Sequence, residues 1–563
     1  MKYSEIIKLN KALEGQVYGP EYNISIISNI MVHQSKDICE WLLRTESINA
    51  KVTLGEYDNI VQDCQRLHSA DSVILFWEAC NFIDGLQYKI NLYSEKDFNE
   101  IVDKVKLEID IVLAALKQTP LVIINRFSSL IFDQFSLSKS NLKILVDILN
   151  SYLDSHAEKG FNLFYIDGVT SRLSIKSATD LRYFYSSKTL YSIDFYREYF
   201  NQIKPIFFAS IGNIKKALIF DCDNTLWSGT LGEDGFNSIK VFQEIQYLAV
   251  QLAKSGVIIG LCSKNNPEDV ENVLENHPDM ILKNDDIIIK TVNWDNKVEN
   301  LKFIAKELNI GLDSLVFIDD SSFEIGLVNQ ELPAVTTFQV PSKQYEYRLL
   351  MKKIVNLFYN PYKTEEDGLK IQIYKDQAKR SKAKDNSVNL QTYLMSLGMS
   401  VTVYIDHLKQ ISRISQLTQK TNQFNLTTRR YSEADIKKFI LDNSKIVITI
   451  ELNDKYGPSG LTGLAILCQK SSEIDTLLLS CRILGRNIEY KFMDIIIDIA
   501  RIKGINFLNA NYINTIKNSQ VKDFYDKCNF EVGVKTIDSS SYSLDLNNFK
   551  YTNIKYIEVK HGK

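Results

Sequence analysis

Three apolar runs in the middle third of the chain, ALIFDCDNT (217–225), GVIIGLCSKNN (256–266) and SLVFIDDSS (314–322), pass directly into polar residues with chemistry of their own. Such runs, separated by amphipathic stretches, read as strands of a parallel sheet with both faces covered. In a parallel sheet the carboxyl ends of the strands open onto one crevice, so the three polar endings should converge on one site.

The rest of the chain is organised around this segment. At 563 residues it is too long for a single core, and several folding units are expected. Residues 1–210 alternate strand-like runs such as SVILFW (72–77), PLVIIN (120–125) and FNLFYI (161–166) with amphipathic stretches, which implies an α/β unit. Residues 211–345 form the second α/β unit. Residues 346–395 are charged and amphipathic, as a helical connector or solvated linker would be. Residues 396–563 contain strands at KIVITIEL, LTGLAILC and TLLLSC and a helix over about 488–503, a further α/β or α+β unit.

Composition narrows the function classes. The apolar fraction of 45% and charged fraction of 24% are ordinary for globular proteins, and a net charge of -3 supplies no basic field for nucleic acid. The first residues, MKYSEIIKLNKALEG, lack the apolar core of a signal peptide, and no run approaches about 18 apolar residues. A cytoplasmic protein with neither nucleic-acid nor membrane partners is expected. The eight cysteines (Cys39, Cys64, Cys80, Cys222, Cys262, Cys468, Cys481, Cys528) include no C-x-x-C pair, which argues against a zinc site or a disulfide framework.

Asp221 and Asp223 lie two apart at the end of a strand, and alternation places both side chains on one side if the extended backbone persists. With Asp319 and Asp320 they form a candidate oxygen cradle for Mg²⁺. Ser263, Lys264 and Asn265, followed by Asn266, offer donors for phosphate oxygens. Lys297, just before a helix, can offset charge on a transferring phosphoryl group. Taken singly, each has a plain structural explanation as a turn, a helix cap or a solvated lysine. Their co-occurrence in this order weakens that explanation.

These elements resemble the haloacid dehalogenase superfamily, whose signature is D-x-D-x-T, then Ser or Thr, then Lys, then an acidic pair. The resemblance implies an aspartyl-phosphate nucleophile at Asp221 and a general acid/base at Asp223. Thr225 and Ser263 would bind phosphate and Lys297 would stabilise charge. Asp221, Asp223 and Asp319 would hold Mg²⁺, with Asp320 orienting Lys297 or the metal's surroundings. Only about 38 residues separate the first two motifs, too few for a large cap domain, so the site should admit a bulky substrate.

The strings DCDNTLWSGTLGEDG, LCSKNNPEDV, HPDMIL, NWDNKVENL and LDSLVFIDDSSFE, with RISQLTQKTNQFNLTTRRYSEADI (413–436) and LSCRILGRNIEY (479–490), more specifically resemble FkbH-like proteins. That resemblance implies an acyl transfer: D-1,3-bisphosphoglycerate is the donor, and the glyceryl unit passes through a cysteine to the phosphopantetheine thiol of an acyl carrier protein. The 3-phosphate is removed along the way. The product is a precursor for polyketide or related units. A plain phosphatase for a sugar phosphate or another small phosphoester is the competing enzyme reading, and a non-catalytic scaffold is a third.

The C-terminal unit resembles the GNAT acetyltransferase fold, with FYDKCNF as a closing aromatic motif. It departs from R/Q-x-x-G-x-G/A at Arg482, Gly485, Arg486 and Asn487, where coenzyme A would bind. Arg482 and Arg486 either meet a phosphate, as guanidinium groups suit, or form salt bridges at the start of a helix. Cys481, at a strand end before that helix, is the favoured acyl-accepting thiol, against a buried strand cysteine. Cys222 is its rival, although alternation points it into the core and the flanking carboxylates raise its pKa. The polar run Gln416, Thr418, Gln419, Thr421, Asn422, Gln423, Asn425 and Arg429 is expected to line the transfer site or carrier surface, or else to be a capped surface segment. The N-terminal unit resembles SGNH hydrolases, with DLRYFYSSKTLYS at 180–192, but it lacks G-D-S around Ser28 and Asn29 and a D-x-x-H. It reads as an inactive scaffold or docking unit.

Overall fold

The apolar runs become strands because each is long enough to cross a core and carries no charge to desolvate. In the computed structural model of the chain, the described residues are 1–563 except 18–19, 68–69, 134–137, 158–160, 361–375, 377–379, 381–388, 443, 516, 537, 553 and 563. They divide into two compact units, Met1–Ser210 and Ile211–Lys563.

The first unit holds β1 (Tyr22–Ser28), β2 (Ala50–Leu54), β3 (Ser72–Phe76), β4 (Leu121–Asn125) and β5 (Phe161–Phe164). They form a parallel sheet in the order β2-β1-β3-β4-β5. β3 and β4 are buried along their whole length. The helix Glu95–Leu116 covers them with Ile101, Val105, Ile109, Val112 and Leu116, a stripe at helical spacing, and Ser94 and Asp97 close a capping box at its start. Ser28 donates to the carbonyl of Phe76, and the Asn29 amide clamps both backbone atoms of Glu78. These two residues hold β1 to β3. From the DLRYFYSSKTLYS segment, the fully buried Tyr191 donates to Glu78 Oε1 at 2.9 Å.

The central region of the second unit holds β6 (Ala217–Phe220), the hairpin β7 (Trp227–Ser228) and β8 (Lys240–Val241), then β9 (Ile258–Ser263), β10 (Ile287–Val292), β11 (Leu315–Asp319) and β12 (Thr336–Gln339). The parallel sheet runs β10-β9-β6-β11-β12, so β6, β9 and β11 are neighbours and their carboxyl ends share one edge. The hairpin and one helical turn, Leu231–Asp234, are all that the chain inserts after β6 before the helix Gln243–Lys254.

The expected connector begins inside a helix that belongs to this core. Gln344–Asn356 buries Tyr347, Met351 and Ile354 against the central cluster, and Leu390–Ser396 delivers Tyr393 and Leu394 to the C-terminal one. Most of the residues between them lie outside the described residues. Of the described ones, Arg380 is buried and paired with Asp454, so at least this part is no solvated linker.

The C-terminal region holds β13 (Met399–Ile405), β14 (Phe424–Asn425), β15 (Lys445–Asp454), β16 (Gly457–Cys468), β17 (Glu473–Leu479), β18 (Phe507–Ile513), β19 (Glu531–Lys535), β20 (Ser539–Asp545) and β21 (Ile557–His561). The sheet order is β19-β20-β18-β17-β16-β15-β13-β21, largely antiparallel, with the helix Ile488–Ile502 packed on it. The parallel pair β17 and β18 is joined only at Glu473–Asn509 and Ile474–Ala510. Beyond that point β14 pairs with the end of β17, and Leu426 bonds to Leu477 on one side and Ile513 on the other. The chain's own segment fills the opening between the two strands. Among the described residues, no helix is long and apolar enough to cross a membrane.

Burial pushes the Glu78 carboxyl up to about 7, against which the Tyr191 hydrogen bond works only in part. The folded state therefore keeps a proton that the unfolded state releases near pH 4.3, and stability falls as pH rises from there to about 7. Glu78→Gln should stabilise the first unit by roughly 3 kcal/mol at pH 8 and by little at pH 4.5. Slowed hydrogen exchange in the Ser72–Phe76 strand at the higher pH only is the expected result.

Candidate active site

β6 ends at Phe220, and the chain then turns, with Asn224 in the left-handed region at φ 52°. Asp221 and Asp223 consequently do not share one strand face. Asp221 faces the sheet edge and accepts from Lys297 Nζ at 2.9 Å; the same ammonium donates to Asp319 Oδ2 at 2.6 Å. Lys297 is the first residue of the helix Lys297–Leu308, whose start is fixed by the Asn296 cap on the Val298 amide. All three side chains are out of water: Lys297 is 4% exposed, Asp221 5% and Asp319 0%.

The charges explain the protonation equilibria. Burial pushes the Asp221 carboxyl up, with Lys297 pulling it down and Asp319 pushing it up; Ser263 contributes a hydrogen bond that favours the carboxylate. Burial also works against the Lys297 ammonium, but the two carboxylates together outweigh it and hold it above the usual lysine range. Asp320 is raised by burial and by neighbouring Asp319.

Asp221, Asp319 and Asp320 bring one carboxylate oxygen each within 4.8 Å of the others. Three carboxylates against one ammonium leave the site net negative, and an all-oxygen donor set suits a hard divalent cation. The Asp223 carboxylate stands outside this set, a correction to the expectation. Its Oδ1 accepts from Trp227 Nε1 (2.9 Å) and the Leu231 amide (3.1 Å), and its Oδ2 accepts from Asn265 (3.0 Å). Asp319, rather than Asp320, receives Lys297.

The phosphate-binding candidates divide. Ser263 ends β9 beside Asp221, and Asn265 ties the second motif to the first. Lys264 is ion-paired to Glu324 at 2.7 Å. Thr225 is fully buried; its carbonyl accepts from Tyr347, and its hydroxyl has no hydrogen-bond partner. Trp227, Tyr347 and Glu324 went unassigned in the sequence. Glu324 carried a signal, because Ser321 three residues before it is a helix cap whose side chain accepts the Glu324 amide.

The expected acyl-transfer residues also divide. Cys481, Arg482 and Asn422 line one cavity, as do Thr421 and Gln423. Cys481 does not abut the helix Ile488–Ile502: a 3-10 turn, Cys481–Ile483, and four further residues intervene, so the argument from adjacency to the helix start fails. Arg486 lies elsewhere, buried against Asp454 at 3.1 Å and donating to the Arg482 carbonyl. Asn425 is a buried staple, donating to the Thr421 carbonyl and accepting the Thr428 amide. Cys222 is wholly buried in the core, and burial followed by Asp221 drives its thiol pKa well up. Gln416, Thr418 and Gln419 belong to the helix Ile411–Lys420, bonded to Arg413, Ser415 and Tyr431, while Arg429 pairs with Asp475.

No family model and no curated protein matches the chain. A crystal structure of the N-terminal part of the protein BF1531 from Bacteroides fragilis, containing a phosphatase domain complexed with Mg, is similar at 23% identity. It covers 64% of this chain and 99% of that one, with a TM-score of 0.55, and shows a shared fold. Mutant forms of the spermidine/spermine N-acetyltransferase SpeG from Vibrio cholerae (13% identity, 26% and 94% covered, TM-score 0.22) and an N-acetyltransferase from Staphylococcus aureus Mu50 (15%, 26% and 98%, 0.21) are too remote to bear on the C-terminal region.

Lys297→Met removes the cation from two buried carboxylates and should destabilise the second unit by about 3–5 kcal/mol in the presence of EDTA. Urea unfolding compared with and without added divalent cation checks this, and the deficit should shrink when the cation is present.

Proposed function

We propose that the chain is a Mg²⁺-dependent enzyme of the haloacid dehalogenase type that removes the 3-phosphate of a glyceryl unit during its transfer from D-1,3-bisphosphoglycerate to the phosphopantetheine thiol of an acyl carrier protein. The observation that carries the phosphotransfer part is the Lys297 ammonium held between Asp221 and Asp319 at the carboxyl edge of a parallel sheet. The fold shared with a Mg-bound phosphatase domain supports it.

Asp221, Asp319 and Asp320 would hold the ion, which when bound supplies positive charge against the phosphate oxygens. Asp221 attacks phosphorus, and the bond to the glyceryl oxygen breaks. Asp223, kept in place by Trp227, Leu231 and Asn265, donates a proton to that oxygen. Asp223 then takes a proton from the water that attacks the aspartyl phosphate, which returns Asp221 and releases orthophosphate. Lys297 balances the negative charge, and Ser263 orients Asp221. The small hairpin β7–β8 leaves room for a substrate presented on another protein.

The transfer part rests on the FkbH-like strings and on Cys481, which is only partly buried, as the cysteine that carries the acyl group. The C-terminal region would then serve as a GNAT-like acyl-transfer module, and the N-terminal unit, SGNH-like in rhythm, as a docking unit. With Mg²⁺, freshly generated 1,3-bisphosphoglycerate and phosphopantetheinylated carrier, intact-protein mass spectrometry should show a glyceryl mass on the carrier. Asp221→Asn should stop phosphate release from small phosphoesters and leave the carrier with a phosphorylated glyceryl mass. Phosphate release by the unaltered enzyme without any carrier adduct would point instead to a plain phosphatase.

A further inference from the structure

A cavity lies between the amino edge of the central sheet and the C-terminal region, and the charged side chains among its described lining residues are all basic. Lys215, Lys216, Arg413, Lys420 and Arg482 border it together with Cys481, and none of its described lining residues is acidic. Several of the cationic heads are held by neutral oxygens: Lys215 donates to the Asp313 carbonyl at 2.6 Å, Arg482 to Ser480 Oγ at 3.1 Å, and Arg413 to the Gln416 amide. Such partners orient the heads, and the Asp313 carboxylate, held below its usual range in part by Lys216 and Lys215, lies near enough to feel two of them. On the same wall Gln423 Oε1 is buried with no hydrogen-bond partner, an acceptor that a ligand's hydroxyl or amide N–H can satisfy. Cations gathered around one space repel each other unless an anion occupies it.

The position of the cavity matters as much as its charge. Lys216 immediately precedes β6 and Ile258 opens β9, while Asp221 immediately follows β6 and Ser263 closes β9 at the opposite edge. At about 3.3 Å per residue, roughly 16 Å of sheet separates Lys216 from Asp221. One bound small molecule cannot meet Cys481 and Asp221 together.

We infer that this cavity holds the phosphate-bearing acyl unit while Cys481 carries it, so acyl capture comes before phosphate removal and at the other edge of the sheet. This rests on the glyceryl-transfer reading. The Cys481 sulfur attacks the carbonyl carbon of the acyl phosphate; the S–C bond forms as the bond to the leaving phosphate breaks, and the thiol proton leaves with that phosphate. The 3-phosphate is retained and lies among the cations. The pantetheine thiol then attacks the same carbon and gives its proton to the departing Cys481 sulfur. The flexible arm takes the phosphorylated thioester to Asp221, and no electron is gained or lost.

The test uses the full chain in EDTA without carrier: the rate of Cys481 alkylation by iodoacetamide, read by peptide mass spectrometry, with Cys468 as internal reference. 3-Phosphoglycerate near ten times its Kd should slow Cys481 alkylation about tenfold. Glycerate should not, and Asp221→Asn should keep the protection. Lys420→Glu should abolish it, and the milder Lys216→Gln should weaken it. A Cys481 that resists alkylation, equal protection by glycerate, or no protection at all overturns the inference. Because neither carrier nor metal is present, failure of carrier acylation would leave a positive result standing, and successful acylation would not rescue a negative one.

Discussion

An ammonium group placed between two carboxylates, all three removed from water, is the contact from which the central region's chemistry follows. Each charge alone would cost several kcal/mol to bury, and only mutual attraction at hydrogen-bond distance offsets that. The contact joins Asp221 after β6, Asp319 at the end of β11 and Lys297 at the head of a helix. It forms only if β6 and β11 are adjacent, parallel and in the observed register. The cation is still outnumbered, because Asp320 adds a third carboxylate within reach. The same arrangement that settles the sheet's register therefore leaves a negative edge, which favours a divalent cation and, through it, a phosphate.

The two edges of this sheet are chemically opposite. The carboxyl edge collects acids around one lysine; the amino edge faces a cavity bordered by lysines and arginines. β14 and Leu426 occupy the opening between β17 and β18, so the C-terminal sheet offers no slot there for an extended arm. The segment that plugs it, however, begins with Thr421, Asn422 and Gln423, which line the cavity instead. Closing one route and furnishing the other are consequences of the same few residues.

Why the central site was legible in the sequence and the C-terminal one only partly follows from what each depends on. The parallel strands needed only apolar runs of the right length, and their carboxyl ends necessarily converge, which brought Asp221, Ser263 and Asp319 together. The missing detail, the direction of Asp223, turned on the chain leaving the strand after Phe220 and then turning through a left-handed Asn224, which alternation cannot foresee. In the C-terminal region the decisive variable was the partner each side chain meets, and residue type does not report it. Arg486 and Arg482 look alike in sequence, yet one is locked with Arg380 onto Asp454 and the other borders the cavity. Asn425 and Asn422 divide in the same way, one stapling a turn and the other reaching the Gly212 carbonyl beside the cavity. The boundary expected at 345 failed for a related reason: charged residues on Gln344–Asn356 concealed the apolar face of Tyr347, Met351 and Ile354. Polar side chains here do two kinds of work, pairing inside the fold and lining its openings, and only the packing around each one separates them.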